Sequence, residues 1–194
     1  MVAMRSKFFS TAAVLSAGVV VVAGVLLAGG PASAATAAPA ASAGTTGQSC
    51  WVNVDTRQTG CYPTGENPFQ QISQATGTTV IAVPSTTSPQ KPLPADTTAA
   101  PATSYVLTSV WSGTSQTGDN QVYFTTNASI CSGFTYGFPT LGTWNDRIKS
   151  FLSFNGCKTT LYADANYQGL SFGPGASSNN LGSFNATASS LVAG

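Results

Sequence analysis

An all-β sandwich, preceded by a small disulfide hairpin and one short helix, is the fold class this sequence predicts. Two observations predict it. From Tyr105 onward, short aromatic or β-branched runs are separated by Gly, Asn and Ser, the spacing of strands and tight turns rather than of helices or a parallel sheet. Within that stretch a six-residue pattern rich in small oxygen-bearing side chains is written twice, as Asn145-Asp146-Arg147-Ile148-Lys149-Ser150 and Asn185-Ala186-Thr187-Ala188-Ser189-Ser190.

The elements follow in chain order. Arg5 and Lys7, an apolar run from Phe8 to Leu27 and then Ala32-Ser33-Ala34 read as a secretory signal peptide over 1–34. Residues 35–47 carry too little apolar area to offset ordering entropy and are expected to form a disordered leader. Trp51 to Asp55 alternates like a short strand, and Thr59-Gly60 returns the chain toward Cys61-Tyr62. Asn67 before Pro68 marks a helix start, Phe69, Ile72 and Ala75 share a face, and Gly77 stands at the expected end. Thr78 to Val83 is a further strand candidate, so residues 48–83 form a small hairpin-helix unit. Its few apolar side chains cannot make a core alone, so it is expected to lean on the following domain or depend on its disulfide. Five prolines between Pro84 and Pro101 make 84–103 a linker. Strands are then expected at Tyr105–Trp111, Gln121–Thr126, Phe134–Phe138, Phe151–Phe154, Thr159–Ala163 and Leu170–Phe172.

Composition narrows the chemistry. Without residues 1–34 the chain holds five basic and six acidic residues, a net charge of −1, which leaves no footprint for nucleic acid or an anionic membrane. The sequence contains no histidine, which removes the usual proton shuttle and the commonest zinc sites. Asp119, Asp146 and Asp164 show no catalytic spacing, so the expectation is a protein without enzymatic activity. Four cysteines in an exported chain imply two disulfides. Of three possible pairings, Cys50–Cys61 with Cys131–Cys157 is favoured because each bond then staples a local unit.

Tyr162-Ala163-Asp164-Ala165-Asn166-Tyr167-Gln168-Gly169 fits Tyr-x-x-x-x-Tyr-x-Gly, and the second oxygen-rich loop follows it. A weaker first copy places Trp111, Gln116 and Gly118 at the same positions before the first loop. Hairpin and then loop, twice in tandem, resembles the βγ-crystallin Greek-key family, including its secreted metalloproteinase inhibitors. The resemblance implies a double Greek-key sandwich over 104–194, with keys at about 104–154 and 155–194. It also implies glycines at positive φ, aromatic pairs covering each hairpin, and a looser first hairpin because Gln116 covers poorly.

In calcium-binding members of that family the two loops exchange ligands. Carried onto these residues, one site would take the Asp146 carboxylate, the Arg147 main-chain carbonyl and the Ser189 hydroxyl, supported by Asn145, Ser150, Asn185 and Ser190. The related second site is degenerate: Ala186 lacks an oxygen, Thr187 offers only its carbonyl, and Lys149 brings a charge that repels a cation. One Ca²⁺ bound weakly is therefore expected, since a single carboxylate with neutral oxygens matches extracellular sites with dissociation constants of about 10⁻⁵ to 10⁻³ M. The alternative is that Asn145, Asn185, Ser150 and Ser190 merely satisfy their own loops. Three functions stay open: a secreted calcium-stabilised module, an inhibitor presenting Cys131–Thr143 to a secreted protease, and a toxin against competing microbes.

Overall fold

The structure, a computed structural model, describes residues 47–87 and 102–194. The predicted signal peptide, nearly all of the leader and residues 88–101 of the linker lie outside the described residues. Eleven strands and one α-helix are described: β1 (Gln48–Asn53), β2 (Thr59–Pro63), α1 (Pro68–Thr76), β3 (Thr79–Ile81), β4 (Thr103–Trp111), β5 (Asn120–Thr125), β6 (Tyr136–Phe138), β7 (Ser150–Ser153), β8 (Thr159–Asp164), β9 (Gln168–Gly175), β10 (Ser177–Ser178) and β11 (Ser190–Ala193).

Two sheets face each other. One runs β10-β7-β4-β5-β1-β2, with β3 added to β4, and the other runs β6-β11-β8-β9. Strands β4 to β7 and β8 to β11 are two successive keys, and each lends its third strand to the other: β6 pairs with β11 and β10 with β7. This exchange locks the two keys into one sandwich with a pseudo-twofold between them.

The hairpin-helix segment is not a unit of its own. β1 lies parallel to β5, with Trp51 opposite Val122, and β3 lies parallel to β4, with Val80 opposite Ser104. The central strands β4, β5 and β7 of the first sheet are consequently covered on both faces. On β5, Tyr123 points into the inner core while Val122 and Phe124 point into an outer one. The inner core collects Leu107, Val110, Trp144, Ile148, Phe151, Leu161, Phe184 and Leu191; the outer collects Trp51, Tyr62, Ile72, Val106 and Phe154. Double coverage explains why every residue of β5 is buried, the pattern of a strand with no solvated face.

Local chemistry fixes α1. The Asn67 side chain accepts from Phe69 N and Gln70 N, Pro68 occupies the first turn, and Gly77 closes the helix at φ 68°. Ile72 is buried, whereas Ala75, expected on the same face, is exposed. The strand expected at Thr78–Val83 shortens to β3, and that at Phe134–Phe138 begins at Tyr136. Part of the expected linker is ordered: Pro84 bridges to Phe154, and Thr103 already belongs to β4. The disulfides are Cys50–Cys61, directly across β1 and β2, and Cys131–Cys157.

Candidate functional site

Each key opens with a hairpin folded by the same backbone device. Ser115 and Gln116 take φ 55° and 60°, and Asn166 and Tyr167 take φ 58° and 63°. Gly118 and Gly169 follow at 78° and 74°, angles that glycine adopts without the cost an L side chain meets. In the second hairpin Tyr162 and Tyr167 meet edge to face, 5.9 Å between ring centres. In the first, Gln116 Nε2 donates to Asn179 Oδ1 at 3.1 Å. The two backbones match residue for residue, so the expected looseness of the first has no counterpart in its geometry.

Both six-residue loops end in a serine that pins its hairpin. Ser150 Oγ accepts from Gln116 N (3.0 Å) and donates to Gly113 O (2.7 Å). Ser190 Oγ accepts from Tyr167 N (3.0 Å) and donates to Asp164 O (2.6 Å). Both serines are buried, and each hydroxyl is satisfied by two backbone partners.

The loops also clasp each other across the pseudo-twofold. Asp146 N donates to Ala188 O (3.0 Å) and Ala186 N to Ile148 O (2.8 Å). Leu141 N donates to Ser189 O (3.1 Å) and Leu181 N to Lys149 O (3.2 Å). Asn145 and Asn185 share one backbone conformation, near φ −55° and ψ 130°, and Asp146 and Ala186 both take φ 55°. The sequence repeat is thus a repeat of conformation and of hydrogen bonding.

The predicted ligand residues fall on this clasp. Asp146 is exposed, and its backbone is bonded to the residue preceding Ser189. Its Oδ2 accepts from Asn145 Nδ2 at 2.7 Å. Ser189 is half-buried, its backbone N–H and C=O are used, and among the described residues its hydroxyl has no protein partner. A carboxylate and a hydroxyl without a protein partner are oxygen donors of the kind a hard cation takes. At the related position Ala186 brings a methyl group, Thr187 Oγ1 turns back to Asn185 O (3.4 Å), and Lys149 carries an ammonium group, so that half does not fit a cation. Asn185 spends its side chain on Leu181 N (3.1 Å) and Asn180 Oδ1 (2.8 Å). Among the described residues no group of three or more His, Cys, Asp or Glu converges.

Sequence reasoning left the Arg147 side chain and Asp119 without a role. Arg147 Nη2 bonds Asp119 Oδ2 at 2.8 Å, the one ion pair among the described residues, and its guanidinium lies 5.0 Å from the Trp144 ring centre. Asp164 is an exposed residue of the second hairpin. Tyr62, Tyr123 and Tyr167 have phenols pushed above the usual tyrosine range by burial; Asn120 offsets this at Tyr62, and the Arg57 charge offsets it at Tyr167.

Two exchanged Greek keys, twinned folded hairpins and twinned loops define an all-β double Greek-key sandwich, the fold that the resemblance to the βγ-crystallin family implies. Two solved structures are similar to it. One is the N-terminal domain of protein S, with 20% identity over 44% of this chain and 93% of that one, at a TM-score of 0.34. The other is a betagamma-crystallin domain from Flavobacterium johnsoniae, with 24% identity over 44% of this chain and 92% of that one, at 0.35. Likeness at that level carries no argument, so the fold rests on the strand exchange itself. No family model matches the chain, and no curated protein does. Two disulfides indicate an oxidising environment, and no helix among the described residues is long and apolar enough to cross a membrane.

Proposed function

We propose that this is a secreted, non-enzymatic binding or structural module whose sandwich is stabilised by one Ca²⁺, held by the Asp146 carboxylate, the Arg147 carbonyl and the Ser189 hydroxyl. The observation that carries the reading is the loop clasp, which brings the Asp146 backbone against Ala188 while leaving the Ser189 hydroxyl without a protein partner. Calcium would supply charge to a ridge where two chain segments meet and so tie the keys together. With a dissociation constant of about 10⁻⁵ M and about 1 mM free calcium, linkage adds roughly 2.7 kcal/mol of stability. Calorimetric titration should give one ion per chain, lost in Asp146→Ala and in Ser189→Ala, with a calcium-dependent rise in melting temperature. Two ions, or none, in the wild type would defeat the assignment.

One observation favours a second reading, inhibition of a secreted protease. Phe134 is 49% exposed in the segment between Cys131 and β6, with Gly133 at φ 83° and Cys131 tied to Cys157. An exposed aromatic on a disulfide-anchored loop suits a protease cleft. Inhibition of a thermolysin-like protease, lost in Phe134→Ala, would select this reading; no inhibition at micromolar protein would remove it.

A further inference from the structure

Asp119 joins the N-terminal hairpin to the oxygen-bearing loop. Its Oδ1 accepts from Thr64 Oγ1, just beyond β2, at 2.6 Å, and its Oδ2 holds Arg147 Nη2 at 2.8 Å. The Thr64 hydroxyl also lies 3.2 Å from Ser49 Oγ, which accepts from Asn120 N at 3.0 Å. Gly47 packs so closely that a side chain there would strike the Asp119 carboxylate. Asp119 N donates to Ser112 Oγ at 3.1 Å. The carboxylate is therefore fixed from both strand and hairpin, and its side chain is only 20% exposed against 41% for Arg147.

Arg147 places a guanidinium on the residue that follows the single carboxylate of the loop. Left loose, that charge has two ways to oppose a divalent cation: it can pair with Asp146, or it can stand near the ion and repel it. Pairing with Asp119 and stacking on Trp144 prevent both. We infer that Asp119, braced by Thr64 of the docked hairpin, is a positioning residue for calcium, holding the Arg147 charge off Asp146 so that the N-terminal segment sets the affinity of the loop. The inference rests on calcium occupying this loop. Because coupling is reciprocal, calcium should in turn tighten the hairpin against β5.

Titration of the full chain with CaCl₂ at low ionic strength tests it. A unit charge released near a divalent ion in a water-like medium lowers affinity on the order of threefold to tenfold. Asp119→Asn should bind that much more weakly, and Thr64→Val should show a smaller loss. Arg147→Met, which keeps the main-chain carbonyl but removes the cationic charge and leaves Asp119 unpaired, should bind more tightly than the wild type. Asp119→Asn in an Arg147→Met background should cost clearly less than it does with Arg147 present, because only the aspartate's own charge is then lost. The loss in Asp119→Asn should also shrink in salt well above physiological strength, which a packing defect would not do. Equal weakening by Asp119→Asn with and without Arg147 would mark Asp119 as merely structural and overturn the inference. Unchanged affinity in both Asp119→Asn and Thr64→Val would overturn it too. Absence of binding by the wild type would remove the calcium reading itself, and this inference with it.

Discussion

Ile72→Ala measures how far the outer core is part of the fold rather than an attachment. Ile72 is completely buried on α1, among Trp51, Tyr62, Val106, Val122, Phe124 and Phe154. The substitution removes three carbons, about 0.8 kcal/mol each, and leaves a cavity that these side chains fill only partly, for a loss of about 3–4 kcal/mol. In a domain of this size each kcal/mol is worth roughly 2–4 °C, so the midpoint should fall by roughly 6–16 °C. Melting followed by far- and near-ultraviolet circular dichroism is the assay, with Leu191→Ala in the inner core as the reference. Both variants should lower a single, coincident transition. A loss under about 1 kcal/mol for Ile72→Ala beside a full loss for Leu191→Ala would refute the continuity of the two cores, as would two separate transitions. Deletion of residues 1–101 is the stronger form. It uncovers Val106, Val122, Phe124 and Phe154, at about 1.5–3 kcal/mol each, together comparable with the ~5–15 kcal/mol that holds a typical domain, so this truncate should not fold.

Ser190→Ala removes a hydroxyl that serves Tyr167 N and Asp164 O and should cost about 1–3 kcal/mol in a urea melt, with Ser150→Ala alongside it. Replacing Cys131 and Cys157 by alanine opens a separation of 26 residues, worth about 3.5 kcal/mol in the chain-entropy model, and Cys50 with Cys61, at 11, about 2.8 kcal/mol; chemical denaturation should rank them in that order. Alkaline pH should destabilise the protein. The raised Tyr123 and Tyr62 phenols stay protonated when folded but ionise near pH 10 when unfolded, so their contribution is complete below pH 10 and falls by about 1.4 kcal/mol per pH unit for each above it. Tyr123→Phe should reduce that slope by about one tyrosine's share in melts between pH 9 and 11.5. Ala186→Asp with Lys149→Ser should raise calorimetric stoichiometry from one calcium to two, since the backbone there already matches its twin.

What could be read from the sequence was what local chemistry writes. Asn67, Pro68 and Gly77 bound α1 because capping involves residues within one turn, and Gly118 and Gly169 mark hairpins because positive φ is a local demand. The cysteine pairing was legible for the same reason. The insertion of β1 beside β5 was not: a parallel pair needs no turn signal, and Trp51 to Val122 is a contact between distant segments. β10 has two residues and no pattern to find, and β11 begins at the last residue of the second loop motif. Within the site, Asp146 and Ser189 stood out through the repeat, but the Arg147 side chain did not, because its partner Asp119 lies in neither copy. The scarcity of charge was the available clue. With six acidic residues in the chain, Asp119 was one of few candidates for an arginine partner.

The twinned loops separate what the fold requires from what it permits. Positions one and six keep Asn and Ser in both copies; the Ser-pinned hairpins give position six a structural reason, and in the second copy Asn185 braces Leu181 N. Position two has φ 55° in both, a region where aspartate is tolerated and alanine costs more, yet the copies carry Asp146 and Ala186. Position five offers its backbone identically in both, yet the copies carry Lys149 and Ser189. The loops differ where the backbone is indifferent or would prefer the residue it lacks, and the two cation-compatible choices, on opposite strands of the chain, converge on one half of the clasp. Backbone requirements alone leave that difference without a cause; the single ion proposed above, held by Asp146 and Ser189, would give it one.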